Sequence, residues 1–190
     1  MGRHVSSSWQ RFDARLAADM RYVVFLRAIN VGNRRMRMEE LRGAYEGAGF
    51  VGVETHVASG NVILESSARP SRDVVERIVV DRFGYTSEAF IRDSEEVKSI
   101  LDRNPWSGPG RLVEVSLLEA VPDPIDAKEL EATVTPPEAL SVSGAEVFFL
   151  REGKGIATTH KEATTMRLLG MQTTRRGMAT VKQIVERYLT

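Results

Sequence analysis

The sequence predicts an α+β protein made of two units in tandem that share one order of secondary-structure elements. Residues 20–104 read as strand, helix, strand, strand, helix, strand, followed by a helix at 94–103, and residues 111–190 repeat the order of the first six elements before a closing helix. Between them, residues 104–110 contain two prolines and two glycines, which interrupt regular structure. Because this is the split βαβ, or ferredoxin-like, order (βαββαβ), we expect two ferredoxin-like units with a C-terminal helix.

In the first unit, hydrophobic periodicity and turn residues locate each element. β-Branched and aromatic residues are typical of buried strands, and apolar residues three and four apart indicate amphipathic helices. Alternating residues around Ser59-Gly60-Asn61 predict a hairpin. The predicted elements are a strand at 22–28, a helix at 38–48, strands at 51–58 and 62–64, a helix at 71–83, a strand at 86–92 and a helix at 94–103.

The second unit shows the same types of pattern. Its predicted elements are a strand at 112–120, a helix from 124 or 126 to 131, strands at 139–142 and 147–150, a helix at 161–169, a short strand at 171–174 and a closing helix at 179–189. The two units share element order without a repeat at the level of individual residues.

Composition excludes several classes of protein. The 190 residues include 26 basic and 26 acidic side chains, so the formal net charge is zero and a basic surface all over is excluded. Without cysteine there is no disulfide framework, thiol nucleophile or thiolate metal site. Basic residues nevertheless outnumber acidic ones by five to two in 27–42 and by eight to three in 151–190. A local anion-binding site is compatible with this distribution.

The N-terminal segment and the hydropathy pattern indicate in which cellular compartment we expect the protein. No run of about 18 apolar residues is present, so we expect no membrane-spanning helix. Residues 1–19 lack the apolar stretch of a secretory signal, and we expect a cytoplasmic protein. We expect 1–19 to be an N-terminal extension, disordered or loosely packed. A short helix from Trp9 to Ala18 is the alternative.

Three segments offer groups that suit an anion. The ligand-binding candidates are Arg27, Asn30, Gly32, Asn33, Ser59, Gly60, Asn61 and Arg175. Guanidinium groups and backbone amides beside glycine bind phosphate, and the helix expected after Arg175 favours negative charge at its start. The competing interpretation is turn chemistry, because Asn and Gly adopt positive φ and Asn bonds its own backbone.

Catalytic motifs are missing. The sequence has no phosphate loop of the NTPase type and no His-Glu-x-x-His, and Ser59 does not lie in a Gly-x-Ser-x-Gly elbow. We therefore predict no metal site and assign neither catalytic residues nor a cofactor. The RNP-type run of RNA-binding sheets is also missing and aromatic residues make up 7% of the chain, so we do not expect nucleic-acid binding.

Four stretches resemble a known family. They are Arg21 to Gly32 (Arg-Tyr-Val-Val-Phe-Leu-Arg-Ala-Ile-Asn-Val-Gly), Met38-Glu-Glu-Leu41, Val53 to Val62 with its Ser-Gly-Asn-Val, and Thr173-Thr-Arg175 with Thr180-Val181. Over residues 20–189 the chain is similar to the family catalogued as domain of unknown function 1697 (DUF1697). Ala28 stands where that family has Gly, His56 where it has Tyr, and Arg176-Gly177 where it has Asn and an aromatic. The resemblance implies an α+β fold and no assigned reaction.

Our leading hypothesis is therefore an uncharacterised protein of this type that binds a small anionic or nucleotide-like ligand. The alternatives are a structural or protein-interaction module that forms a homodimer, an enzyme of unassigned reaction, and RNA binding. The sequence does not indicate an oligomeric state. The leading hypothesis requires the segment that starts at Arg27, the Ser59 turn and Arg175 to meet in the folded chain.

Overall fold

The computed structural model describes residues 20–30, 35–151 and 160–190. Its first half contains β1 (Met20–Leu26), α1 (Met38–Gly47), β2 (Val51–His56), β3 (Asn61–Ser66), α2 (Arg72–Phe83), β4 (Ala89–Asp93) and α3 (Ser94–Arg103). Its second half contains β5 (Leu112–Leu118), α4 (Pro124–Glu131), β6 (Ala139–Ser143), β7 (Glu146–Arg151), α5 (Glu162–Leu169), β8 (Thr173–Gly177) and α6 (Met178–Tyr188). The predicted extension 1–19 and the candidates Gly32 and Asn33 lie outside the described residues.

The strands form two four-stranded antiparallel sheets, which confirms the predicted α+β class. The first sheet has the order β2-β3-β1-β4 and the second the order β6-β7-β5-β8, and every neighbouring pair is antiparallel. Each sheet thus places the first strand of its half between the third and fourth strands of that half. Corresponding strands of the two halves occupy corresponding positions.

The central position of β1 explains its composition. Residues 22–26 are at most 1% exposed, because β1 pairs with strands on both sides and both of its faces are covered. Val24 and Leu26 pack with α1 and α2 on one face, whereas Val23 and Phe25 pack toward the second sheet on the other. Alternating side chains on opposite faces of a strand produce this division.

Three hydrophobic clusters lie between the layers of helices and sheets. One lies between the first sheet and α1 and α2, and another between the second sheet and α4 and α5. The third lies between the two sheets and includes Val97 and Ile100 of α3 and Val181 and Ile184 of α6. The two halves of the chain therefore share one core.

The described helices are short. The longest, α2, has 12 residues. Within the described parts of the chain, no helix is long and apolar enough to cross a membrane.

Candidate functional site

A cleft of about 330 Å³ lies where the two halves of the chain meet. The end of β1, with residues 26–30, and the β2–β3 turn at 58–59 line it from the first half. Glu162 of α5 and residues 174–176 of β8 line it from the second half. A ligand in this cleft would contact both halves.

The cleft brings together four of the eight residues proposed from the sequence. They are Arg27, Asn30, Ser59 and Arg175. Gly60 and Asn61 are not among the lining residues; they continue the chain from Ser59 into β3. The segment that starts at Arg27, the Ser59 turn and Arg175 thus converge, as the hypothesis requires.

Arg27 follows β1 directly and connects the first sheet to α5. Its Nη1 lies 3.3 Å from Oε2 of Glu88, and its Nη2 lies 3.5 Å from Sδ of Met166. The Arg27 side chain is 27% exposed, so water and salt weaken this ion pair. Arg27 therefore adds a weakly paired positive charge to the cleft.

Arg175 lies on the outer face of the second sheet, the face with Phe149 that is turned toward α4 and α5 and away from the first sheet. Its Nη1 lies 3.2 Å from Oε2 of Glu114, its Nε donates to Oγ of Ser116 at 3.3 Å, and the guanidinium lies 5.8 Å from the Phe149 ring centroid. Its Nη2 is buried and has no hydrogen-bond partner among the described residues. A buried donor without an acceptor is costly, and a ligand oxygen would remove that cost.

Arg176, which was not among the candidates proposed from the sequence, has the most unusual environment in the cleft. It is 6% exposed, and its five N–H groups all point to neutral oxygens. The acceptors are Oδ1 of Asn61 at 2.6 Å, Oγ1 of Thr174 at 2.9 Å, and the carbonyl oxygens of Arg175 at 2.8 Å, Leu26 at 2.8 Å and Gly60 at 3.5 Å. Within the described residues no carboxylate oxygen lies within 4.0 Å of this guanidinium. Burial lowers the pKa of Arg176 to about 10.

The other half of the chain contains a counterpart, Arg92. Arg92 is the fourth residue of β4, as Arg176 is the fourth residue of β8. The corresponding acceptors are the carbonyl oxygens of Ile91, Leu118 and Ala145 for Arg92 and those of Arg175, Leu26 and Gly60 for Arg176. Nε of Arg92, however, lies 3.2 Å from Oε1 of Glu146, the first residue of β7, whereas Nε of Arg176 meets the neutral Asn61, the first residue of β3. One of the two buried guanidinium groups therefore forms an ion pair, whereas the other interacts with a carboxylate, that of Glu162, only from beyond 4.0 Å.

A second, smaller cleft of about 200 Å³ surrounds Arg92. It is lined by Arg69, Pro70 and Arg72, by residues 89–92, and by Leu118 and Glu119. Its arginines all have carboxylate partners: Arg69 pairs with Glu96, Arg72 with Glu119 and Glu76, and Arg92 with Glu146. Each arginine of this cleft thus has a carboxylate partner, whereas in the cleft around Arg176 this holds for Arg27 and Arg175 but not for Arg176.

Two of the predicted asparagines use their side chains to shape the cleft wall. Nδ2 of Asn61 donates to the His56 carbonyl at 2.8 Å and to Oγ of Ser59 at 2.9 Å. Nδ2 of Asn30 donates to the Ala58 carbonyl at 2.9 Å, and its Oδ1 accepts from the Met36 amide at 2.8 Å. Turn chemistry therefore describes both amides, and the positive charge of the cleft comes from its arginines.

Two backbone positions beside the cleft have positive φ. Gly60 has φ +78°, and a Cβ there would lie 3.0 Å from Cβ of Leu26. Ala28 has φ +53°, which a residue with a Cβ adopts at a cost. The family that the sequence resembles has Gly at this position, and the positive φ explains why Gly is favoured there.

His160 lies close to this region without lining the cleft. It is 5% exposed, its Nε2 lies 2.9 Å from Oγ1 of Thr165, and its ring centroid is 5.2 Å from that of Phe149. Burial, with the nearby positive charge of Arg175, lowers its pKa to about 4. His160 is thus neutral at pH 7. In the part of the chain that the structure describes, no group of three or more His, Asp and Glu side chains could hold a metal ion.

Comparisons with known proteins identify the fold and the family. The family described as "Protein of unknown function (DUF1697)" matches residues 20–148, which is more than half of the chain. A solved structure, that of the conserved bacterial protein SP0830 from Streptococcus pneumoniae, has a TM-score of 0.70 and 21% identity, and the match covers 89% of this chain and 98% of that chain. No curated protein matches the sequence. At 21% identity the structural match supports the fold alone.

Proposed function

Since the chain belongs to the DUF1697 family of proteins of unknown function, we propose a function from its own geometry: the cleft around Arg176 binds a small anionic ligand. Of the three arginines that line this cleft, Arg27 pairs with Glu88 and Arg175 with Glu114, whereas Arg176 forms no ion pair among the described residues. The charge of Arg176 at a junction of two sheets supports an anion as the occupant.

The unneutralised charge of Arg176 is the observation that carries the proposal. A buried charge without a counter-ion is costly even when its hydrogen bonds are satisfied, and the cost is removed when an opposite charge binds nearby. The counterpart Arg92 has its counter-ion, Glu146, within the protein. At the position of Glu146 the cleft around Arg176 has Asn61, and a bound anion would supply the missing charge.

Direct contacts to the ligand would come from the other two arginines and from Ser59. All N–H groups of Arg176 are used within the protein, so it would act on the ligand through its charge. The free Nη2 of Arg175 and the weakly paired guanidinium of Arg27 can donate to an oxyanion. The hydroxyl of Ser59 accepts from Asn61 and keeps its own hydrogen for a ligand.

A titration with inorganic phosphate and pyrophosphate tests the proposal. We expect these anions to raise the melting temperature of the protein, and Arg27→Gln to weaken their binding about tenfold or more, because a charge-assisted hydrogen bond contributes roughly 1.5–3 kcal/mol. Arg72→Gln is the matched control, because it removes an arginine from the charge-balanced cleft and should leave the affinity unchanged. No shift with any anion, or equal shifts in the parent and Arg27→Gln, would refute the proposal.

The finer organisation of the fold belongs to the same proposal. We propose that residues 20–104 and 111–190 are two ferredoxin-like units, on the support of their common strand order and antiparallel pairing. A cytoplasmic location and an N-terminal extension at 1–19 stay predictions from the sequence. The homodimer, enzyme and RNA-binding alternatives have no comparable observation in their favour among the described residues.

A further inference from the structure

Glu162, the first residue of α5, is the one carboxylate among the residues that line the Arg176 cleft in the described chain. Its Oε1 accepts a hydrogen bond from Oγ1 of Thr173 at 2.6 Å. No Lys or Arg nitrogen of the described segments lies within 4.0 Å of this carboxylate. The group therefore keeps acceptor capacity at the wall of an otherwise cationic cleft.

In the second cleft, the residues at the equivalent positions pair with each other and need no ligand. The basic and acidic residues are interchanged there: Arg72 is the first residue of α2, and Glu119 is the residue after β5. These two form an ion pair. In the Arg176 cleft the corresponding residues are Glu162 and Arg27, but Arg27 pairs with Glu88 instead. The cleft is therefore left open between a cation and a carboxylate.

Among the described residues, the lining of the cleft combines polar and apolar side chains and includes no aromatic ring on which a base could stack. Recognition of a nucleobase usually includes stacking on an aromatic ring or a guanidinium plane, and the Arg175 plane already lies against Phe149. The volume of about 330 Å³ is near the lower end for small-molecule sites, which are about 300–1,000 Å³. A compact ligand without a recognised base fits these features.

We infer that the ligand is a phosphate monoester of a small, hydroxylated, non-aromatic compound, with its phosphate on Arg27 and Arg175 and a hydroxyl group donating to Glu162. This inference rests on the proposed function, because it names the class of anion that the same cleft takes. A hydroxyl suits Glu162 better than an ammonium group does, because an ammonium would be repelled by the unneutralised charge of Arg176.

Four probes, one variant and one control variant test the assignment by calorimetric titration of the full chain. The probes are inorganic phosphate, ribose 5-phosphate, AMP and aminoethyl phosphate. Ribose 5-phosphate should bind about tenfold tighter than inorganic phosphate, because a hydrogen bond to a charged acceptor contributes about that factor. AMP carries adenine in place of the anomeric hydroxyl of ribose 5-phosphate and should bind less than about twofold tighter than ribose 5-phosphate, because the base has no ring to stack on. Aminoethyl phosphate should bind no tighter than inorganic phosphate.

Glu162→Gln separates the role of the carboxylate from that of the arginines. The amide oxygen of Gln still accepts from Thr173, so the variant should fold. The gain of ribose 5-phosphate over inorganic phosphate should fall to about threefold or less, because the acceptor is no longer charged. The affinity of the variant for inorganic phosphate itself should equal or exceed that of the parent protein. Glu119→Gln, in the second cleft, is the matched control and should change neither affinity.

The outcomes distinguish this inference from the proposed function. If inorganic phosphate fails to bind the parent protein and no other probe binds, the anion site itself is wrong. If inorganic phosphate binds but ribose 5-phosphate gains nothing, or Glu162→Gln keeps the gain, the anion site stands and the hydroxyl contact is wrong. A gain of about tenfold for AMP over ribose 5-phosphate, or for aminoethyl phosphate over inorganic phosphate, would overturn the assigned ligand class.

Discussion

Arg175 and Arg176 are adjacent in sequence, yet their side chains belong to different environments. In β8 successive side chains point to opposite faces, so Arg175 lies over Phe149 on the outer face and Arg176 over Phe25 between the sheets. The sequence placed both residues in a segment that could bind an anion, but it singled out only Arg175 as a ligand-binding candidate. Nothing local distinguishes the two residues, because the burial of Arg176 depends on contacts with Leu26, Gly60 and Asn61, which are 150, 116 and 115 residues away in sequence.

The buried side chain of His160 should make the stability of the protein depend on pH. Burial lowers its pKa from 6.5 to about 4 in the folded protein. Between those values the unfolded chain binds a proton that the folded chain does not, so the free energy of unfolding rises with pH across this window. As the pH falls from about 6.5 to about 4, His160 should remove up to about 3 kcal/mol of stability.

The comparison of the parent protein with His160→Gln isolates this effect from the titration of carboxylates. Urea unfolding at several pH values should show a difference in stability between the two proteins that shrinks on acidification, because only the parent must bury a group that prefers to be charged. A difference that stays constant from pH 7 to pH 4 would show that His160 titrates normally in the folded state.

The order of the elements was predictable, and their ends less so. The last strand of the first half begins at Ala89 rather than 86, and β8 spans 173–177 rather than 171–174. The helix predicted at 94–103 does begin at Ser94, but its capping box is formed by Asp93, which lies before the predicted range, and Glu96. Strand ends depend on the partner strand and caps on side-chain direction, and periodicity reports neither.

The loop that follows β1 allows a test of backbone strain. Ala28 is exposed with φ +53°, a conformation that costs a residue with a Cβ about 1–2 kcal/mol, whereas Gly adopts it freely. Ala28→Gly should therefore raise the free energy of unfolding by about 0.5–1 kcal/mol, after allowance for the greater freedom of Gly in the unfolded chain.

Ala132 is the control for this substitution. It is also exposed and follows a helix, but its φ is −71°, where a Cβ costs nothing. Ala132→Gly should lower the free energy of unfolding by about 0.4–1 kcal/mol. Chemical denaturation measures both variants. The same sign of change in both would contradict the explanation from positive φ at residue 28.

For the molecule as a whole, the two halves repeat one architecture and differ in charge. The sequence indicated the repeat through element order, and it indicated basic excess in the two segments that meet at the Arg176 cleft. It could not indicate that Asn61 and Glu146 occupy equivalent places, because that equivalence appears only when strands of the two sheets are placed side by side. The difference between the ion pair of Arg92 and the neutral contact of Arg176 rests on this pair of residues.

Glu146→Gln should make the second half resemble the first. Glu146 is 1% exposed and neutralises Arg92 of β4 and Arg103 of α3, so the variant leaves a buried guanidinium without its counter-ion. We expect the free energy of unfolding to fall by about 3–5 kcal/mol. Glu114→Gln is the control: it also removes a carboxylate shared by two arginines, but its 24% exposure should limit the loss to about 1 kcal/mol.

The same variant tests the idea that an unneutralised arginine between the sheets makes an anion site. Arg92 in Glu146→Gln would be held by neutral oxygens alone, as Arg176 is in the parent. Phosphate in the unfolding experiment should therefore restore more stability to Glu146→Gln than it adds to the parent protein, since it can occupy two such positions rather than one. Equal stabilisation of both proteins by phosphate would show that the missing counter-ion does not determine where anions bind.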